Sequence, residues 1–359
     1  MFTGEREITS PVSLTTPGGR LNPCAVGFTR TQLHDTSGIG AGRSSWGRNK
    51  RWEYWLVTTP THLFSFTISD VDYASSHSVW VYEIPTARRF DGAAIVPFGY
   101  GAVLPGSLGD GPAIGGSTGT NGRLLPPAPG RIGARVEEVE GGTRLRAYGL
   151  AKGTPDCGGG FGEVRCDVVA ERPPGHEALG VVVPWSETRF QYTVKDVARP
   201  ARGWIELDGV RFELPAGESW AMLDHGRGRW PYSMWWNWGA GAGRSGGHDL
   251  GLQFGGKWTD GTGSRENALQ VDGRLFPIHE DLTWVYDHSD WLAPWRISSP
   301  SVEVVLEPFW DHAAITDLGV LSMKAHQVFG HYSGWVRAGE DRIEVDGVLG
   351  FAEDVRNRW

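Results

Sequence analysis

Cysteine is scarce in this chain. The three present, Cys24, Cys157 and Cys166, are odd in number and lack metal-ligand spacing, which argues against a disulfide framework and points to a reduced compartment. Positive charge is also short: 34 Lys and Arg against 42 Asp and Glu leave a net −8, which speaks against a nucleic-acid partner. Arg43, Arg48, Lys50 and Arg51 do cluster in "GRSSWGRNKR", either as a solvated basic loop or as a seat for an anionic group. No run approaches the roughly 18 apolar residues of a membrane helix, and the opening "MFTGEREITS" has no apolar core of signal-peptide length. A cytoplasmic protein with no membrane span is the expectation. Long amphipathic helices are missing too, as 52 Gly and 22 Pro among 359 residues would require.

What recurs instead is alternation followed by a turn, the signal of strands and hairpins. Segments 51–57, 62–73, 78–84, 143–150, 163–171 and 189–197 read as strands. Asp208-Gly209, Asp272-Gly273 and Asp346-Gly347 stand between apolar flanks as two-residue hairpin turns. Many short strands at this spacing make a sandwich or a barrel. The Gly/Pro-rich segment 101–134 breaks the pattern and reads as a long loop, either a lid or an inert insertion. "RWEYWLVTTPTHLFSF" is echoed, half a chain later, by "MWWNWGAGAGRSGGHDLGLQF". The echo predicts two related β-units, 1–198 and 199–359, with chance likeness of aromatic strands as the competing reading.

Tryptophan is abundant, 18 residues in all, and must be buried against something or line something. It is densest around "ESWAMLDHGRGRWPYSMWWNWGAG" (218–241). If 220–227 is extended, Trp220, Met222 and Asp224 share one face, while His225 and Arg227 point to the other. A bulge at Gly226 or Gly228 would bring all three polar side chains to one mouth. A carboxyl group among indoles has its charged form disfavoured and is kept protonated, as a general acid requires. Pairing of Asp224 with an arginine would cancel that effect. In "HDLGLQFGGKWTDGTGSRENAL", Gln253, Lys257, Trp258 and Asp260 are placed to face a cavity, with Arg265 and Glu266 at its rim. "HEDLTWVYDHSDWLAPWR" carries Glu280, Asp281, Asp287 and Asp290 among aromatics, which leaves a two-carboxylate glycosidase open. "GRSGG" and "GGSTG" fit a nucleophile elbow only as patterns, since neither leads a strand into a helix.

Several longer stretches are familiar. "GRNKRWEYW", "DHGRGRWPYSMWWNWGAGAG", "LGLQFGGKWTDGTG", "ENALQVDGRL", "APWRI", "HQVFGHYSG" and "GFAEDVRNRW" resemble an uncharacterised bacterial and fungal domain family of unknown function, over nearly the whole chain. More distantly, "GESWAMLDHGRG" is similar to a motif of the hydroxyneurosporene synthase (carotenoid 1,2-hydratase) superfamily. That resemblance implies tandem lipocalin-like β-barrels. It also implies an aspartate that protonates an alkene, a role that falls here on Asp224 with His225 beside it. Leu223 and the Gly226-Arg227 pair depart from the motif.

The expectation is therefore an all-β protein of two tandem lipocalin-like antiparallel barrels or sandwiches with short helices. It would be a cofactor-independent enzyme acting on an apolar, unsaturated small molecule by proton-dependent hydration, cyclisation or isomerisation. Asp224 and His225 would be catalytic. Tyr54, Trp55, Arg227, Trp236, Asn237, Trp238, Gln253 and Trp258 would line the site, with no metal. A non-catalytic carrier of a hydrophobic metabolite and a glycan-active hydrolase are the alternatives, and oligomeric state is left open.

Overall fold

The computed structural model describes residues 6–41, 45–117, 131–153, 160–317 and 319–359. Arg43, Cys157 and part of the 101–134 segment lie outside them. Eight strands follow one another as antiparallel neighbours: β1 (Asn49–Thr58), β2 (His62–Asp70), β3 (Ala74–Glu83), β4 (Arg88–Pro97), β5 (Gly142–Gly153), β6 (Phe161–Glu171), β7 (Arg189–Leu207) and β8 (Trp220–Arg229). β8 returns to pair with β1 along its whole length, so the sheet closes into an up-and-down barrel with shorter strands attached.

The second sheet repeats the plan. Its strands are β9 (Ser233–Ser245), β10 (His248–Gly256), β11 (Ala268–Val271), β12 (Arg274–Pro277), β13 (Thr283–Val285), β14 (Trp295–Ser299), β15 (Val302–Asp317), β16 (Ser322–Ala338) and β17 (Asp341–Arg358). The order is β12-β11-β10-β9-β17-β16-β15-β14-β13, so the first strand again pairs with the last. Among the described residues nothing joins β12 to β13, and this barrel stays open at that seam. The fold is thus all-β, two tandem lipocalin-like units. The short helices expected reduce, among the described residues, to a three-residue 3-10 turn at Pro23–Ala25.

The two echoing aromatic segments form the first two strands of each unit, β1–β2 and β9–β10. The boundary lies elsewhere than the 198/199 division expected from "VARPARG". That division falls inside β7, which is continuous, and the second sheet begins only at Ser233. The proline and glycine mark a barrel corner rather than a linker. β7 is irregular between Asp196 and Arg199, where it passes from pairing with β8 to pairing with β6. Gly203 has φ +127°, and a Cβ there would meet the Asp167 carbonyl at 2.2 Å.

Two of the Asp-Gly turns have positive φ at both residues, 51° and 78° at 208–209 and 50° and 82° at 272–273, as a type I′ hairpin demands. The third does not close a hairpin: Asp346-Gly347 lies within β17, opposite a register shift between Tyr332 and Gly334 of β16. The Gly/Pro-rich segment is also more regular than a loop. It contributes strands at Ala102–Val103, Ala113–Gly116 and the start of Ile132–Val139.

Burial explains why the central strands hide their alternation. The interior of the first barrel is filled by residues such as Trp55, Val57, Phe64, Phe66, Leu145, Val168 and Leu223. The second barrel's interior holds Leu252, Phe254, Trp295, Val328 and Tyr332. A third apolar cluster sits between the two walls: Leu56, Trp80, Met222, Trp238, Ala240, Trp310, Phe329 and Phe351. β8 therefore has one face inside its barrel and the other against the second barrel, and all ten of its residues are buried. Every polar side chain on it must find a partner indoors.

Candidate functional site

β8 pairs in unbroken register with β1, so the bulge expected at Gly226 or Gly228 does not form and strand parity holds. Asp224 faces the seam between the barrels, while His225 and Arg227 face the interior of the first barrel. Cross-strand pairing puts Lys195 of β7 and Tyr54 of β1 beside Asp224 on the seam side. Lys195 Nζ lies 2.9 Å from Asp224 Oδ1, and Thr193 Oγ1 donates to the same oxygen at 3.2 Å. Trp52 Nε1 donates to Oδ2 at 3.0 Å. Gly226 makes this last bond possible, because a Cβ there would lie 2.2 Å from the Trp52 ring. An ammonium and two further donors favour the charged form of Asp224. That is the opposite of the dry, proton-bearing environment expected for it.

The proton-bearing groups are its neighbours. Glu266 is buried, and its Oε1 is 3.5 Å from Lys195 Nζ without making a hydrogen bond. Trp258 Nε1 donates to its Oε2 at 3.1 Å. Gly255 leaves room for this carboxyl, since a Cβ there would meet Oε2 at 2.8 Å. Glu353, on β17, accepts from Trp236 Nε1 at 2.9 Å and Gln327 Nε2 at 3.0 Å. Burial pushes both glutamates up to about 7; Lys195 pulls each back, while the Asp224 charge adds to the rise. Lys195 stays protonated although buried, because burial is outweighed by Asp224, Glu266 and Glu353. Its Nζ sits 3.6 Å from the centre of the Trp238 ring. Three carboxyls thus share one ammonium, and two of them are poised to hold a proton near neutrality.

Around these groups stands a wall of indole. Trp230 stacks on Trp258 with centroids 5.7 Å apart and meets Trp52, Trp185, Trp236 and Trp359 edge-on. Trp238 Nε1 donates to Gln253 Oε1 at 2.9 Å, Gln253 Nε2 to the Glu266 carbonyl at 3.0 Å, and Tyr54 OH to Gln327 Oε1 at 3.4 Å. Of the residues singled out from the sequence, Asp224, Tyr54, Trp236, Trp238, Gln253 and Trp258 converge here. Trp55, His225 and Arg227 lie inside the first barrel, and Asn237 inside the second, where its Nδ2 donates to Tyr286 OH at 3.0 Å. His225 is pushed down to about 4 by burial and by Arg227, against the pull of Glu53. It is a neutral core imidazole on the wrong side of the strand to serve Asp224.

Glu266, read as rim, is central instead. Lys195, Glu353, Gln327 and Trp52 were not singled out. A lysine or glutamate in an alternating strand looks like a solvated position until a second sheet covers it. The basic cluster likewise dissolves: Lys50 is fully buried, and Arg51 pairs with Asp70. The acids of 280–290 serve local turns. Glu280 accepts from Ser299 and Ser301, Asp287 from Ser289, and Asp290 from Leu292 N. Hydrogen bonds and a nearby arginine outweigh burial at Glu280, and hydrogen bonds from Ser289 act on Asp287; both carboxyls lie below the usual range, unsuited to donating a proton. Among the described residues no His, Cys, Asp and Glu group is arranged to hold a metal. No helix is long and apolar enough to cross a membrane.

A family model matches residues 5–359. The chain belongs to the family described as Domain of unknown function (DUF2804). No curated protein matches it. Among solved structures it is similar to kievitone hydratase from Nectria haematococca at 10% identity, covering 86% of this chain and 89% of that one, with a TM-score of 0.45. A structure from Nitrosomonas europaea named as AttH matches at 14% identity and TM-score 0.49, covering 87% and 92%. CghA matches at 10% and 0.41, covering 99% and 96%.

Proposed function

We propose that members of this family with these residues are cofactor-independent acid–base enzymes acting on an apolar, unsaturated small molecule at the seam between the barrels. The observation that carries the reading is Glu266 Oε1: buried, without a hydrogen-bond partner, and part of a carboxyl whose pKa is raised to about 7. A proton on that oxygen has no acceptor in the protein, so it is available to a substrate. Protonation of an alkene carbon by Glu266 breaks the O–H bond, forms C–H and leaves a carbocation. Water or a second double bond then attacks, and the proton released returns to a carboxylate, which restores the starting state. Faces of Trp52, Trp236 and Trp258 would stabilise the cation by about 0.5–2 kcal/mol each. Asp224 holds Lys195 in place, and Glu353 is the second proton carrier. The resemblance of the "GESWAMLDHGRG" stretch to the carotenoid hydratases points the same way but names Asp224 as donor. The donors around Asp224 favour Glu266 instead.

The test begins with native mass spectrometry of freshly purified protein, to identify a co-purified apolar ligand. That compound and its dehydrated or open-chain relatives are then incubated in D2O. The product should carry one carbon-bound deuterium per turnover. Glu266→Gln should lower turnover by about 10²–10⁴ while the fold is kept. Full activity in that variant would remove Glu266 from the chemistry. Lost stability with no turnover of any apolar ligand in the wild type would mark the cluster as a clamp between barrels.

A further inference from the structure

The first barrel contains a second set of buried polar groups that the proposed chemistry does not use. Glu53 and Trp55 of β1 and Arg199 of β7 point inward with no more than about 1% of their surface exposed. Glu53 Oε2, Trp55 Nε1 and Arg199 Nη1 are each buried without a hydrogen-bond partner. All three residues line one cavity, together with Leu223, Val136, Pro105, Leu108 and Ala113, and its volume of about 10 Å³ suits a single water oxygen. An unsatisfied buried polar atom costs roughly 1–3 kcal/mol, so three of them at one cavity call for an occupant. Two donors and one carboxylate acceptor define its chemistry: a hydroxyl accepts from Trp55 and Arg199 and donates to Glu53.

The mouth above this cavity is filled by the chain itself. Residues 104–113 cross it, with Leu104 and Leu108 packed on the barrel's apolar core. Their attachments are few: Thr36 N donates to the Gly106 carbonyl at 2.9 Å, Ser107 Oγ to the His34 carbonyl at 3.5 Å, and Arg227 Nη2 to the Pro105 carbonyl at 3.5 Å. An apolar cover over a polar floor is the negative image of a compact apolar alcohol. We propose that the interior of the first barrel is a second ligand site, independent of the seam. It would take a small apolar molecule with one hydroxyl head, which seats on Glu53, Trp55 and Arg199 as the body displaces Leu104 and Leu108. In the free protein a water holds the place of the hydroxyl.

The indole N–H resonance of Trp55, assigned by its loss in Trp55→Phe, reports on the floor directly. Octanol should shift this resonance saturably, and octane should not. Leu108→Gly, which loosens the cover without touching the floor, should tighten octanol binding several-fold. Glu53→Gln should weaken it at least tenfold. A Trp55 resonance unmoved by octanol in both the wild type and Leu108→Gly would overturn the proposal, as would equal shifts from octane and octanol. Glu266→Gln leaves this floor intact and should bind octanol as the wild type does, which separates failure here from failure of the seam reading.

Discussion

Lys195 shows how one side chain sets the chemistry of its neighbours. It is the ammonium beside Asp224 and Glu266, and it also acts electrostatically on Glu353. Lys195→Met would leave three acids buried together with no cation. Breaking a buried pair from one side costs about 3–5 kcal/mol, and urea denaturation should show a loss of that size. The double variant Lys195→Met/Asp224→Leu should recover much of it, and a double-mutant cycle would measure the coupling. Glu266 gives a pH-dependent counterpart. Its folded pKa is raised from 4.5 to about 7, so its contribution is full below 4.5 and is lost as pH rises through 7. Glu266→Gln lacks that loss. Relative to wild type, the variant should gain up to about 3 kcal/mol between pH 4.5 and 7. A stability difference that does not change with pH would show that Glu266 ionises normally.

At the scale of the element, β8 is a strand wetted on neither face, and its two glycines are spaces for other residues' side chains. Gly226 lies beneath the Trp52 ring, and a Cβ at Gly228 would come within 2.2 Å of Gln191 Oε1, which accepts from Trp230 Nε1 at 2.7 Å. Gly226→Ala should push Trp52 off Asp224 and cost about 1–3 kcal/mol through overpacking. A changed near-ultraviolet dichroism with intact far-ultraviolet signal would confirm displacement of the indole. An unaltered spectrum and stability would mean that the ring has room the present packing does not show. The strand's alternation was legible in the sequence, including the opposite facing of Asp224 and His225. The expected bulge was not needed, because both faces of β8 have their own polar partners.

For the whole molecule, burial of histidine sets the acid limit. His77 and His225 are both pushed down to about 4 by burial, chiefly, so each stays neutral in the fold while an unfolded chain would protonate near 6.5. The stability they permit is present above 6.5 and is lost as pH falls toward 4, by up to about 3 kcal/mol each. The urea midpoint of Glu266→Gln, which removes one opposing glutamate, should therefore fall on acidification through that window. A midpoint that stays level from pH 6.5 to 4 would contradict this account.

Alternation, Asp-Gly turns and the missing helices were enough to specify an all-β chain of two similar units, because strand parity and turn conformation are local properties of the backbone. They also brought six of the ten expected lining residues to the right surface. Which carboxyl carries the proton was decided only when one barrel closed over the other. Desolvation and the sharing of a single ammonium depend on Glu266 and Glu353 meeting Asp224 across the seam, and no spacing along the chain records that meeting.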